Sequence, residues 1–209
     1  MNRKDPVYLI DGSAYIHRAF HAIQGLTNSR GLPTNAAFGF TRMLIKLMEE
    51  RRPAYAAMFF DSPGPTFRHG LYRDYKANRP PMPDDMAVQI PYIKQIAAAY
   101  RLPVIDMAGY EADDVLGTIA RQVAAQGLGV KIITGDRDLL QLVGDRTAVY
   151  IAGDDKTYIT PEDVQASKFG VRPEQVVDYK AIVGDTSDNI PGVPGVGEKT
   201  ALGLLNKFK

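Results

Sequence analysis

Val7-Tyr8-Leu9-Ile10-Asp11-Gly12-Ser13 is the stretch of sequence that decides the fold class, because a short, mostly apolar run stops there at an Asp-Gly turn. Such a run, bounded by turn residues, predicts a buried strand. The pattern recurs in Ala56–Phe60 before Asp61 and in Val130–Thr134 before Gly135-Asp136. Leu102–Ile105 and Val149–Ile151 are weaker candidates for a fourth and a fifth strand.

Helical periodicity fills the intervals between these runs. One apolar stripe comprises Phe40, Leu44, Leu47 and Met48, and another comprises Val115, Leu116, Ile119, Ala120 and Val123. Strands that alternate with helices predict an α/β fold, a mainly parallel sheet flanked by helices. Sites in such sheets form beyond the carboxyl ends of the strands, where three of the predicted strands reach an aspartate.

The pattern changes after residue 160 to short helices with clear start signals. Thr160-Pro161 offers an N-cap followed by proline at the first helical position, and Pro173-Glu174 repeats this arrangement. We therefore divide the chain into an α/β core over residues 1–160 and a helical region over residues 161–209. The apolar periodicity still runs at Phe208 without a stop signal, so the helical region is interpreted as truncated, part of a longer one.

Composition limits the chemistry that the chain can perform. The 209 residues include no cysteine and only three histidines, which excludes disulfides and a Cys/His zinc site. The opening residues lack the apolar segment of a signal peptide, and no stretch is apolar enough to span a bilayer, so we predict a cytoplasmic protein. Any metal ion must be bound by oxygen.

Nine acidic residues lie at predicted strand ends and turns, far apart in the sequence. They are Asp11, Asp61, Glu111, Asp113, Asp114, Asp136, Asp138, Asp185 and Asp188. Each cluster alone is explained by turn formation or by the helix dipole, but their coincidence at strand ends favours a shared site. Crowded carboxylates need hard cations, and two Mg²⁺ or Mn²⁺ ions about 4 Å apart would promote phosphodiester hydrolysis.

The net charge of +1 is informative only once these acids are set aside. If cations neutralised the nine, 25 basic residues would face 15 acidic ones, a balance that attracts a polyanion. Within Glu111-Ala-Asp-Asp114, helical spacing lets Glu111 converge with Asp113 only if Glu111 precedes the helix. Asp114 then points elsewhere and is the weakest candidate for a direct ligand.

Two further segments have the character of nucleic-acid contacts. The glycine-rich stretch with Gly192, Gly195, Gly197 and Lys199 precedes a predicted helix, as in a helix-hairpin-helix that grips sugar-phosphate backbone. The alternative is a plain turn between packed helices. Phe67–Arg79 interleaves basic and aromatic residues, among them Arg68, Arg73, Tyr75, Lys76 and Arg79, and is either a contact for single strands or a solvated basic face.

The motifs together resemble the 5′-nuclease domain of bacterial DNA polymerase I, a member of the flap endonuclease family. They are Asp11-Gly-Ser13, Phe60-Asp-Ser-Pro-Gly64, Tyr75-Lys-Ala-Asn-Arg-Pro-Pro-Met-Pro83, Glu111-Ala-Asp-Asp114, Thr134-Gly-Asp-Arg-Asp138 and Gly184-Asp-Thr-Ser-Asp-Asn-Ile-Pro-Gly192. The resemblance implies a PIN-like or resolvase-like nuclease core with a helical arch over about residues 66–90, followed by a C-terminal helix-hairpin-helix (helix-3-turn-helix) region.

The resemblance also implies roles for individual residues. Asp11, Asp61, Glu111 and Asp113 would bind one metal ion, and Asp136, Asp138 and Asp185 the second. Asp114 and Asp188 would support both indirectly. Lys76 and Arg79 would orient the scissile phosphate from the arch, Tyr75 would stack on a base, and carbonyls of the glycine hairpin would bind K⁺.

The expected function is that of a 5′→3′ exonuclease and flap endonuclease acting in DNA replication and repair. Its substrates would be DNA with a 5′ flap, a nick or an RNA primer, and we expect a nucleoid-associated monomer, either separate or fused to a polymerase in the parent protein. Two alternatives remain open. One is a metal-dependent glycosyltransferase, suggested by Asp136-Arg137-Asp138; the other is an inactive, structure-specific DNA-binding module.

Overall fold

The computed structural model describes residues 5–167 and 169–208, which form a six-stranded sheet flanked by helices. The sheet strands are β1 (Val7–Asp11), β2 (Tyr55–Phe59), β3 (Val104–Ile105), β4 (Val130–Thr134), β5 (Thr147–Ile151) and β6 (Lys156–Tyr158). The helices are α1 (Gly12–Ala22), α2 (Asn35–Arg51), α3 (Phe67–Leu71), α4 (Asp84–Ala87), α5 (Ile90–Ala99), α6 (Ala112–Ala125), α7 (Pro161–Gln165), α8 (Val176–Val183) and α9 (Glu198–Lys207). Short 3-10 helices span Arg137–Leu142 and Pro173–Gln175, and a two-residue pair, β7 (Gly184–Asp185) and β8 (Ile190–Pro191), joins α8 to α9.

The strand order β3-β2-β1-β4-β5-β6 places β1 between β2 and β4. The first five strands are parallel and β6 is antiparallel to β5. The predicted α/β class with a mainly parallel sheet is therefore confirmed. The sequence did not predict β6, a three-residue edge strand in which a lysine and a threonine replace the usual apolar run.

Both faces of the sheet are buried, which explains why its strands are apolar without alternation. Leu9 and Ile132 pack on the face covered by α6, while Ile10 and Ile133 pack on the face covered by α1, α2 and α5. All four are almost completely buried. The fourth predicted strand, Leu102–Ile105, keeps only its last two residues, because the Leu102 N–H closes a turn with the Ala97 carbonyl.

Residues 66–90 are not one continuous helical segment. They contain the short helices α3 and α4 and the first residue of α5, and the chain turns over residues 73–79 between α3 and α4. Lys76 adopts a left-handed φ of 56°, and the prolines at 80, 81 and 83 have no N–H to donate to a helix. The expectation that Lys76 and Arg79 lie on a helical arch is therefore wrong for this structure.

The helices after residue 160 pack against the sheet region instead of standing apart from it. As predicted, Thr160 caps α7, and Pro173 begins the 3-10 helix that leads into α8. One continuous core joins Val149 and Leu140 to Val164, Tyr179 and Ala201. Within the described residues, no helix is long and apolar enough to cross a membrane.

Candidate functional site

An open cleft of about 930 Å³ lies at the carboxyl ends of the central strands. Its lining includes all nine of the predicted acidic residues: Asp11, Asp61, Glu111, Asp113, Asp114, Asp136, Asp138, Asp185 and Asp188. Parallel strands bring their carboxyl ends to one edge, so side chains separated by more than a hundred residues meet there. Arg68, Tyr75, Lys76 and Arg79 also line the cleft.

Asp11 is the most buried of these acids, with 4% of its surface exposed. It ends β1 and caps α1, accepting a hydrogen bond from the Ala14 N–H at 2.9 Å and another from the Thr134 hydroxyl at 2.7 Å. Burial, aided by the charges of Asp61 and Asp136, raises the pKa of Asp11 to about 6. The site thus carries an acid that gives up its proton reluctantly unless a cation lies nearby.

The three acids at the start of α6 have different environments: Glu111 and Asp113 belong to the acid cluster of the cleft, whereas Asp114 pairs with an arginine. Glu111 caps the helix, as the spacing argument required, and therefore lies outside the helix proper. Burial and then the charges of Asp11, Asp136, Asp61 and Glu111 raise the pKa of Asp113 well above its usual value. Asp113 therefore favours its protonated form in this cleft unless a cation offsets its charge.

Asp114 instead forms a bidentate pair with Arg68, at 2.6 and 2.7 Å. Burial alone would raise the pKa of Asp114, but hydrogen bonds from Arg68 and the Glu111 N–H outweigh it and lower the pKa. Both Asp114 oxygens are thus engaged outside the acid cluster. This agrees with its rank as the weakest candidate for a direct ligand.

Lys180 bridges the second group of acids, and sequence reasoning missed it. Its Nζ lies 2.9 Å from Asp138 Oδ1 and 2.8 Å from Asp185 Oδ2. Burial and the charge of Asp136 raise the pKa of Asp138, whereas Lys180 and Ser187 overcome the effect of burial and lower the pKa of Asp185. The signal in the sequence was a lysine one helical turn before the glycine that ends α8, directly ahead of Asp185.

Tyr75 is buried, with 4% of its surface exposed, and its hydroxyl donates to Glu111 at 3.0 Å and to Asp188 at 3.1 Å. A ring enclosed in this way cannot stack on a base, so the predicted stacking role of Tyr75 does not hold in this structure. Lys76 Nζ lies 2.8 Å from Glu111 Oε1, and Arg79 pairs with Asp188. Lys76 and Arg79, the basic side chains predicted to orient the phosphate, thus form ion pairs with acids of the cleft.

The glycine hairpin lies outside this cleft. Gly192 is packed so closely on the end of α8 that a Cβ would overlap the Val183 carbonyl, so its role here is backbone packing. Gly195 (φ 77°) and Gly197 have open space around them, and Gly197 caps α9. Lys199 in the first turn of α9 is exposed, as is Arg73, and neither lines the cleft in the described part of the chain.

Over residues 5–167 and 169–208, no group of three or more Asp, Glu or His side chains forms a ready-made metal-binding set. Five of the nine carboxylates, those of Glu111, Asp114, Asp138, Asp185 and Asp188, instead pair with lysine or arginine. The ammonium of Lys180, held between Asp138 and Asp185, is a cation at the position where two carboxylates converge. The donor set is exclusively oxygen and carries excess negative charge, which fits a hard divalent cation.

A parallel α/β fold with an acidic cleft at the strand ends is the arrangement expected of a nuclease. Models of two families match the chain: the 5′-3′ exonuclease N-terminal resolvase-like domain over residues 6–170, and the 5′-3′ exonuclease C-terminal SAM fold over residues 171–209. The chain belongs to the 5′-3′ exonuclease family.

Two relatives and one solved structure illustrate the similarity. The 5′-3′ exonuclease of Aquifex aeolicus is 45% identical over 202 residues, covering 97% of this chain and 69% of that protein. DNA polymerase I of Caldicellulosiruptor bescii is 48% identical over 205 residues, 96% of this chain and 24% of that protein, so the chain spans about a quarter of that relative. A crystal structure of bacteriophage T5 flap endonuclease, in a pseudo-enzyme–product complex with DNA and metal ions, shares the fold with a TM-score of 0.77 and 22% identity. The structural match covers 97% of this chain and 75% of the T5 protein.

Proposed function

We propose that this chain is a structure-specific 5′ nuclease, a 5′→3′ exonuclease and flap endonuclease that hydrolyses phosphodiesters of DNA or RNA primers. The observation that carries the proposal is the convergence of nine acidic side chains on one cleft that also contains Arg68, Lys76, Arg79 and Lys180. Acids alone would repel a nucleic acid. Acids with cations bound between them, beside basic side chains, would bind a phosphodiester and cleave it.

The proposed cofactors are two divalent cations, Mg²⁺ or Mn²⁺. Asp11, Asp61, Glu111 and Asp113 would hold one, and Asp136, Asp138 and Asp185 the other. Asp114 and Asp188 would support both ions indirectly, and both oxygens of Asp114 are already bound by Arg68. When bound, such ions lower the pKa of a water and stabilise the charge that develops on the phosphate.

The protein's own basic side chains would position the scissile phosphate and balance its negative charge. Lys76 and Arg79 are bound to Glu111 and Asp188 in this structure, within reach of the proposed ligands. Once those acids serve the cations, the two basic side chains become available to hold the scissile phosphate. Lys180 would likewise release Asp138 and Asp185, or remain beside them to offset residual charge.

We assign the helical region over residues 161–209 to DNA binding. The exposed Gly195, Gly197 and Lys199 at the start of α9 offer backbone N–H groups and a positive charge to a phosphate, without reading sequence. K⁺ bound by carbonyls of this hairpin would add charge there. Arg73, exposed on the turn before Tyr75, would contact the strand entering the cleft.

The biological setting follows from the same proposal. Relatives named DNA polymerase I are about four times as long as this chain, so a polymerase is the expected fusion partner in such proteins. A 5′ nuclease beside a polymerase would remove RNA primers and displaced flaps in the cytoplasm, at the nucleoid. We propose that the chain acts as a monomer on DNA with a 5′ flap, a nick or an RNA primer.

The test is cleavage of a labelled 5′-flap substrate. We expect activity in Mg²⁺ or Mn²⁺, none in EDTA, and no loss with a zinc-selective chelator. The Asp138→Asn variant should lose cleavage while its affinity for the flap in Ca²⁺ stays largely intact, since a carboxylate does not itself attract DNA and the helical region would still hold the substrate. The exposed Asp145→Asn, at the opposite end of the sheet, is the matched control.

Full activity in EDTA would overturn the metal-dependent mechanism. If Asp138→Asn lost binding as severely as cleavage while remaining folded, Asp138 would have a structural role instead of a metal-binding one.

A further inference from the structure

Two segments from opposite parts of the chain lie against each other at the mouth of the cleft. We call residues 74–79 the cationic turn and residues 185–189 the acidic loop. The Lys76 N–H donates to the Asp188 carbonyl at 2.9 Å, and Arg79 Nε donates to the Ser187 carbonyl at 3.0 Å. The two segments are thus joined through the main chain as well as through ion pairs.

A reciprocal pair of asparagines brackets these contacts. Asn78 Nδ2 donates to the Thr186 carbonyl at 2.7 Å, and Asn189 Nδ2 donates to the Asp74 carbonyl at 2.8 Å. Each segment therefore supplies one side-chain amide and receives one on a backbone carbonyl. Both asparagines belong to sequence motifs, yet neither carries a charge and neither lines the cleft.

Binding of metal ions and substrate would break the ion pairs of the cationic turn but not the amide hydrogen bonds. The pairs of Lys76 with Glu111 and of Arg79 with Asp188 must exchange when cations bind the acids and a phosphate binds the bases. Neutral amide-to-carbonyl hydrogen bonds need not break in that exchange. These hydrogen bonds can therefore hold the cationic turn in place while Lys76 and Arg79 exchange their acidic partners for a phosphate.

The backbone gives a reason why such a restraint is needed. Lys76 and Asn189 both adopt left-handed conformations, with φ of 56° and 57°. A non-glycine residue persists there only when surrounding contacts fix it, although asparagine tolerates the region better than lysine does. The two amides are among the contacts that fix this backbone and, with it, the position of the Lys76 ammonium beside Glu111.

We infer that Asn78 and Asn189 are positioning residues, which clamp the cationic turn to the acidic loop and thereby place Lys76 and Arg79 for the reaction. This inference rests on the proposed function, because it presumes that Lys76 and Arg79 act on the scissile phosphate. Asn78 and Asn189 themselves touch no reacting atom. Their effect on cleavage passes through the two basic side chains.

The test combines hydrogen–deuterium exchange of the metal-free protein with single-turnover cleavage of a 5′ flap. The variants are Asn78→Ala and Asn189→Gly, the second because glycine keeps the left-handed backbone while losing the amide. Gln126→Ala, an exposed amide at the far end of α6, is the control. We expect faster exchange in the peptide covering residues 74–79 and a cleavage rate roughly three- to tenfold lower, the factor of one net hydrogen bond, with flap affinity little changed.

Coupling to Arg79 separates positioning from general weakening of the fold. Arg79→Ala alone should lower the single-turnover rate by on the order of 10²-fold, as expected for one preorganised charge donor. In a Lys76→Ala, Arg79→Ala background, the asparagine substitutions should lower the rate no further. An equal additional loss in that background would overturn the inference, because the asparagines would then act independently of the turn.

Two other outcomes are decisive. Unchanged exchange of residues 74–79 in both asparagine variants would overturn the clamp itself, whatever the activity. A parental rate for Arg79→Ala would instead overturn the role of the turn in the proposed function, while the exchange data would still report whether the clamp exists.

Discussion

The charge of Asp11, which lies in the cleft, lowers the stability of the metal-free fold. It is buried beside Asp61 and Asp136, and its pKa of about 6 lies above the usual value of 3.8. Each pKa unit corresponds to about 1.4 kcal/mol, so ionised Asp11 destabilises the metal-free fold by on the order of 2–3 kcal/mol. The hydrogen bonds from Ala14 and Thr134 offset only part of the burial.

We therefore predict that Asp11→Asn stabilises the metal-free protein at pH 8. Between pH 6 and 3.8 the folded state binds more protons at Asp11 than the unfolded state does, so stability from this group falls as pH rises through that window. The neutral amide avoids the penalty, and we expect the free energy of unfolding in EDTA to rise by about 1–3 kcal/mol. The gain should shrink as pH falls towards 4.

Urea unfolding in EDTA at pH 8 and at pH 4.5 measures this effect, with Asp145→Asn as an exposed control. Addition of Mg²⁺ should stabilise the parent more than the variant and so reduce or reverse the difference. A variant less stable than the parent at pH 8 would show that the hydrogen bonds of Asp11 outweigh the cost of its charge.

At the scale of elements, the hairpin between α8 and α9 gives its glycines different tasks. Gly192 allows the backbone to lie against the last turn of α8, where no Cβ fits. Gly195 supplies a left-handed turn, with φ of 77°. Gly197 has an ordinary φ of −91° and open space, so neither packing nor backbone strain requires a glycine there, although glycine is a favoured N-cap residue. The absence of a Cβ would also let a phosphate approach the backbone closely.

Gly197→Val is thus the cleanest test of the hairpin as a phosphate contact. It should weaken binding of duplex DNA roughly fivefold, the effect of one lost hydrogen bond, and do so equally for unrelated sequences. Its stability should fall by only about 1 kcal/mol, because valine is a poorer N-cap than glycine, whereas Gly195→Val would also strain the left-handed backbone. Electrophoretic mobility shifts with two duplexes measure the affinities, and Gly203→Ala, exposed within α9, is the control. Parental affinity would make the segment a plain turn.

At the scale of the whole molecule, the division into residues 1–160 and 161–209 is a proposal about function more than about folding. The apolar side chains of α7, α8 and α9 complete the same core as β4 and β5. Phe169 and Tyr179, whose ring centroids lie 5.8 Å apart, belong to that core. Removing the helical region would expose buried residues such as Leu140 and Val149.

We therefore predict that both regions unfold in a single transition. Tryptophan reporters placed by Phe20→Trp in α1 and Phe169→Trp in the helical region should give the same urea midpoint, and far-UV circular dichroism should coincide with both. The chain has no native tryptophan, so each signal is local. Separate midpoints for the two reporters would establish two independently folding units.

The sequence by itself determined the parts of this protein that depend on short-range patterns. Apolar runs that stop at aspartate gave β1, β2 and β4, periodicity gave α2 and α6, and Thr160 gave the start of α7. Because parallel strands must present their carboxyl ends together, the shared cleft for Asp11, Asp61 and Asp136 also followed from the pattern.

Only the tertiary structure decided which of these side chains are free and which already have partners. Lys180 between Asp138 and Asp185, Tyr75 buried under Glu111 and Asp188, and the amides of Asn78 and Asn189 all depend on contacts between distant segments. The turn over residues 73–79 also replaced the expected helix, because its docking on the acidic loop uses backbone groups that a helix would need. Periodicity reports what a segment prefers alone, whereas burial, charge pairing and docking are set by what the rest of the chain places beside it.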